Sequence, residues 1–115
     1  MQGGLVLQRD EIPPGTLYML ILRTLARGGE MHGYEIASFI KKVSDEVLQV
    51  EEGSLYPALQ RMLVKGWVTG EWGTTEGNRR ARYYKLTAAG RKQLEAEVSQ
   101  FERVVAAIGR VIETA

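Results

Sequence analysis

From residue 15 onward the apolar positions repeat first with helical and then with strand-like spacing. Residues 15–27 predict a first helix. Leu17, Leu20, Ile21 and Leu25 share one face, and Tyr18, Met19 and Leu22 carry the apolar surface further round. Such a helix is expected to be covered on more than one side. Gly28-Gly29 ends it. A second helix is expected from His32 to Ser44, with Ile36, Ile40, Val43 and Phe39 toward a core and Glu35, Lys41 and Lys42 away from it. A polar link from Asp45 to Glu52 follows, with Val47, Leu48 and Val50 as anchors.

A third helix is predicted from Gly53-Ser54 to Gly66. At about 100° per residue, Leu55, Leu59, Met62 and Leu63 fall together. Ser54, Pro57, Arg61 and Val64 fall on the far side, flanked by Ala58, Gln60 and Lys65. Pro57 is tolerated if it lies in the first turn. Trp67 to Trp72 and Arg79 to Leu86 read as two strands, joined by the turn-rich Gly73-Thr74-Thr75-Glu76-Gly77-Asn78. Trp67 and Trp72 are expected in the hairpin core, and of Tyr83 and Tyr84 one should face inward and the other outward. Thr87 is a good N-cap for a long helix over 88–113.

In that last helix Leu94, Val98, Phe101, Val105, Ile108 and Ile112 recur at alternating steps of four and three, widened by Val104 and Val111. This is a heptad seam. A helix of 26 residues spans ~39 Å, more than the ~30 Å width of a body of some 85 residues. A second copy of the chain is the expected cover for the part left over. Tyr18 and Leu22 of the first helix are candidates to join that interface.

The 115 residues suit one domain. Three parts are expected: a flexible arm over 1–12, a body over 13–87 and a C-terminal dimerisation helix over 88–115. Pro13-Pro14 breaks the arm from the body, with Pro14 at a first helical position. Cysteine is absent and His32 is the single histidine, so neither a disulfide framework nor a metal site nor a cofactor is expected. His32 reads as a helix cap or a phosphate contact. The N-terminus has no basic leader pattern, and no apolar run reaches membrane-spanning length, so a cytoplasmic protein without membrane contact is expected. The sequence offers no nucleophile–base pair, and no catalytic activity is expected.

The net charge is +1, yet its distribution is uneven. Residues 1–53 carry five Lys/Arg against eight Asp/Glu, residues 54–92 eight against two, and residues 93–115 two against four. The excess positive charge therefore sits on the third helix, the hairpin and the start of the last helix. A polyanion is the natural partner of such a segment.

Three helices followed by a hairpin make a mainly α fold with a small β-hairpin, the winged helix-turn-helix plan, here with a long C-terminal dimerisation helix. Short side chains on the outer face of the third helix can approach base edges in a major groove. Ser54, Tyr56, Pro57, Gln60, Arg61 and Lys65 are the candidates there, with Gln60 suited to adenine and Arg61 to guanine. On the hairpin tip Thr74, Thr75, Asn78, Arg79, Arg80 and Arg82 suit phosphates or a minor groove. Tyr34 and Tyr56 can touch a DNA backbone or simply pack their rings. Arg91 and Lys92 can reach phosphate or cap a solvated helix start. The competing expectation is a winged-helix protein-interaction module that meets an acidic protein.

Four stretches carry a family resemblance: His32-Gly33-Tyr34-Glu35-Ile36, Gly53-Ser54-Leu55-Tyr56-Pro57-Ala58-Leu59, Gly66-Trp67-Val68 with Trp72 following, and Arg82-Tyr83-Tyr84-Lys85-Leu86-Thr87-Ala88-Ala89-Gly90-Arg91. In this order they resemble the PadR family of bacterial transcriptional regulators, in its short form with one C-terminal helix. The resemblance covers about residues 16–95. It implies a homodimeric winged-helix repressor of an inverted-repeat DNA operator, released in some members by a small hydrophobic effector. Two positions depart from the pattern. Glu51 stands where Ser or Thr is expected, and Trp67 stands in place of an aliphatic residue. Glu51 and Glu52 suit a helix dipole but oppose a nearby phosphate.

Overall fold

A computed structural model describes residues 10–13 and 15–114. Its elements run β1 (Asp10–Glu11), α1 (Leu17–Gly28), β2 (Met31–His32), α2 (Gly33–Val43), β3 (Leu48–Gln49), α3 (Glu52–Val64), β4 (Val68–Thr74), β5 (Arg80–Leu86) and α4 (Ala88–Glu113). β4 and β5 form the expected hairpin, with Val68 opposite Leu86 and Thr74 opposite Arg80. The sheet has a third strand, since β2 pairs antiparallel with β5 through Met31–Tyr84 and His32–Tyr83. Two residues are too few to leave an alternating pattern, so sequence periodicity did not register β2.

The core is built around α1. Ile21, Leu22 and Leu25 meet Ile36 and Ile40 of α2, Leu55, Ala58, Leu59 and Met62 of α3, Val68 and Tyr84 of the sheet, and Leu94 of α4. The broad apolar surface of α1 is thus covered by the chain's own elements. Leu22 is 0% exposed, so it is a core residue and not part of a dimer surface as expected. Leu94 is 7% exposed and belongs to the same core, so the outer seam starts further along α4. Val98 also packs against the core. The helical step placed these positions on an apolar face but gave no means of telling which neighbour would cover it.

Five further expectations change. Val43 ends α2 exposed, and Ala58 is buried where α3 crosses the core. Trp72 is 60% exposed on β4 rather than in the hairpin core, with its ring against the Arg80 and Arg82 guanidiniums instead of apolar side chains. Pro57 lies in the second turn, since α3 starts at Glu52. Its ring faces the carbonyl of Gly53 four residues back, on an exposed stretch of helix where water can satisfy that oxygen. Residues 10 and 11 of the expected arm are paired, in parallel, with Leu48 and Gln49. Residues 1–9 and Pro14 lie outside the described residues.

Local caps set the joints. His32 caps α2: its Nδ1 accepts from the Glu35 amide at 3.4 Å, while Glu35 Oε1 accepts from the His32 amide at 3.0 Å. Thr87 Oγ1 accepts from the Gly90 amide and donates toward the Gly66 and Trp67 carbonyls, tying the start of α4 to the root of the hairpin. From there α4 runs past the body. Phe101, Val104, Val105, Ile108, Val111 and Ile112 all stand exposed on it.

Candidate nucleic-acid interface

The start of α2, the middle of α3 and the hairpin tip enclose a groove of about 560 Å³. His32, Tyr34, Tyr56, Thr75, Arg79, Arg80 and Tyr83 line it. The capping of α2 by His32 fixes the near wall, and the His32 ring also meets Tyr83 edge-on and stacks near Tyr34. Tyr56 reaches across from α3 to lie on Gly33, where an added Cβ would come within 2.8 Å of its hydroxyl. The far wall is a tight turn. The Thr75 amide donates to the Arg79 carbonyl, Thr75 Oγ1 accepts from the Arg79 amide, and Asn78 takes a left-handed conformation at φ 62°. That turn presents Arg79 and Arg80 together. Asn78 is thus first a turn residue, of a type that tolerates this backbone region.

Arg61 and Lys65 lie elsewhere. On α3 they are roughly 140° and 180° around from Tyr56. Arg61 Nε donates to the Tyr18 hydroxyl of α1, its guanidinium 5.7 Å from that ring's centre, and Lys65 sits 5.3 Å from the Trp67 ring. Trp67 in turn meets Tyr18 edge-on. The exposed face of α3 with Pro57 and Gln60 separates these two cations from the groove, and Ser54 lies beside them. Candidate contacts therefore form a band across α3, bounded by Arg79 and Arg80 on one side and Arg61 on the other.

Arg82 does not line the groove with Arg79 and Arg80. Its Nε is buried with no hydrogen-bond partner, and its guanidinium lies 5.9 Å from the Trp72 ring. Beneath it, burial pushes the Tyr84 phenol above its ordinary value, opposed in part by the positive charge of Arg82. Among the described residues no group of three or more His, Asp or Glu side chains is placed to hold a metal, and no helix is long and apolar enough to cross a membrane.

The family model described as "Transcriptional regulator PadR-like family" matches residues 21–96. The chain belongs to this family. Among solved structures, this PadR-like protein resembles a transcriptional regulator from Clostridium thermocellum. The two are 28% identical with a TM-score of 0.78, and the match covers 86% of this chain and 95% of that one. It is 30% identical over 71 residues to the negative transcriptional regulator PadR of Bacillus subtilis, covering 61% of this chain and 38% of that protein. A structure of Bacillus subtilis PadR in complex with operator DNA is 26% identical with a TM-score of 0.63, over 72% of this chain and 47% of that one. The PadR-like chain thus spans less than half the length of these last two proteins. The family and its structural neighbours are transcriptional regulators, which are not enzymes.

Two features of the PadR-like interface escaped the sequence. Tyr83 is a groove residue because β2 joins β5 and sets it against His32, which the sequence already marks as a cap or phosphate contact, and nothing in the spacing of residues 32 and 83 announces that pairing. The bond from Arg61 to Tyr18 spans 43 residues. Sequence spacing puts Tyr18 on the extended apolar surface of the first helix and Arg61 on the outer face of the third, and their contact depends on the crossing of α1 and α3.

Proposed function

We propose that this chain is a homodimeric repressor that binds an inverted-repeat operator in double-stranded DNA, working in the cytoplasm. The observation that carries this reading is the groove in which Arg79 and Arg80 face Tyr34 and Tyr56 beside the exposed face of α3. A helix face of small and polar side chains enters a major groove, and an adjoining cationic loop holds the flanking phosphates. Ser54, Tyr56, Pro57 and Gln60 are the groove-facing set, with Arg61 and Lys65 at its edge. Thr74, Asn78, Arg79, Arg80 and Arg82 form the wing set, and Tyr34 supports the backbone contact. The Bacillus subtilis protein seen with operator DNA supports this direction.

Dimerisation would use Val98, Phe101, Val105, Ile108 and Ile112 of α4 with Tyr18 of α1. Tyr18, Phe101, Val105 and Ile108 line an apolar groove of about 560 Å³ between the two helices. Two copies joined there would present two α3 helices to half-sites about one DNA turn apart. A small hydrophobic effector entering this groove would alter the spacing of the two recognition helices and so release the DNA. The test is selection of bound duplexes from random DNA, followed by titration across salt concentrations. A palindromic consensus is expected. Arg79→Ala/Arg80→Ala should weaken all sequences alike and reduce the salt slope by about 0.9 for each phosphate that is no longer neutralised. A salt-independent or absent interaction would overturn the reading.

A further inference from the structure

Trp72 lies on the exposed part of β4, directly opposite Arg82 and two residue pairs along the ladder from Arg80, on the same sheet face. A large ring so exposed contributes little to the core. Its neighbours are instead two cations: the Arg80 guanidinium at 4.9 Å and the Arg82 guanidinium at 5.9 Å from the ring centre. Among the described residues neither arginine has a carboxylate partner. Arg82 reaches this place over Gly70, where an added Cβ would stand 2.7 Å from its Nε and 3.3 Å from Leu63 Cδ2. The missing side chain at position 70 thus opens the channel through which Arg82 is directed at Trp72.

A carboxylate partner would neutralise an arginine and occupy its donors. An indole face restrains the guanidinium through its π-system and leaves the charge and most N–H donors free for another anion. Two arginines restrained on one ring are already ordered, so less freedom is lost when they bind phosphate oxygens.

We propose that Trp72 is a positioning residue that pre-orders Arg80 and Arg82 as a paired clamp for phosphate groups of DNA. The proposal rests on the DNA-binding reading and goes beyond it by assigning a role to an aromatic residue that carries no charge. Arg80 also lines the groove with Tyr56 and Tyr34. Holding Arg80 against Trp72 therefore sets where the wing meets the backbone relative to α3.

The experiment is a double-mutant cycle on the full chain, measuring Kd for the selected duplex at several salt concentrations, with thermal melting as a control. Trp72→Leu keeps an apolar side chain but no π-face, and Trp72→Phe keeps a π-face. Trp72→Leu is expected to weaken binding by about 5- to 30-fold, with the melting temperature nearly unchanged because the ring is exposed. Trp72→Phe should recover most of the loss. Arg80→Ala placed on Trp72→Leu should cost much less than Arg80→Ala alone, since one acts through the other. Wild-type affinity in Trp72→Leu, equal losses in the Leu and Phe variants, or strict additivity with Arg80→Ala would each overturn the proposal while leaving DNA binding intact. Failure of the wild-type chain to bind any duplex with salt dependence would overturn the DNA-binding reading itself.

Discussion

Replacing Ile108 by Glu separates the two ways in which α4 could bury its apolar stripe. Ile108 is 53% exposed in the single chain, and the neighbouring Phe101, Val105 and Ile112 are exposed as well. Complete burial of such a side chain is worth about 1.5–3 kcal/mol, so covering the exposed half of Ile108 contributes roughly 0.8–1.5 kcal/mol per protomer. In a twofold dimer the loss occurs twice, about 1.5–3 kcal/mol, which raises Kd roughly 10- to 150-fold before any cost of burying a carboxylate. Sedimentation velocity at micromolar concentration should show monomers, while far-ultraviolet circular dichroism and melting of the body stay close to wild type. Leu94→Ala provides the contrast. Leu94 is 7% exposed inside the core, and its truncation should cost about 2–5 kcal/mol of fold stability. A persistent Ile108→Glu dimer, or a variant that unfolds as Leu94→Ala does, would refute the assignment of the outer half of α4 to a second copy.

Three further outcomes are expected. Tyr18→Phe removes the acceptor of Arg61 Nε. It should lower stability by about 0.5–1.5 kcal/mol in urea melts and change base preference in the selected site, and an unaltered consensus would mean that Arg61 reads no base. Gly70→Ala places a methyl group on the path of Arg82. Operator affinity should fall several-fold with little change in melting temperature, and wild-type affinity would show that this path does not orient Arg82. The raised value of the Tyr84 phenol stabilises the fold fully below its ordinary 10.0, and that contribution is lost as pH climbs from there through the folded value, because the unfolded chain ionises first. Urea midpoints at about pH 8 and 10.5 should therefore fall less in Tyr84→Phe than in wild type, and equal falls would count against burial as the cause.

Local information was enough for the four helices and the hairpin, though not for the two-residue strands β1, β2 and β3. The apolar step along 15–27, 32–44 and 53–66, the Gly-rich turn between two strands and the Thr87 cap each act within a few residues, and α4 spans 88–113 as its periodicity implies. The same local chemistry placed the positive charge on α3 and the hairpin. Tertiary structure alone decided which apolar face meets which neighbour. Leu22 and Leu94 turn into the core, while Ile108 and Ile112, on the same α4 seam as Leu94, stand outside it, because helical spacing defines a stripe but not what covers it. It also decided how the cations divide. The crossing of α1 and α3 gives Arg61 to Tyr18, and the strand register gives Arg80 and Arg82 to Trp72. Such partners are tens of residues apart or face one another only through pairing, so no periodic signal along the chain encodes them.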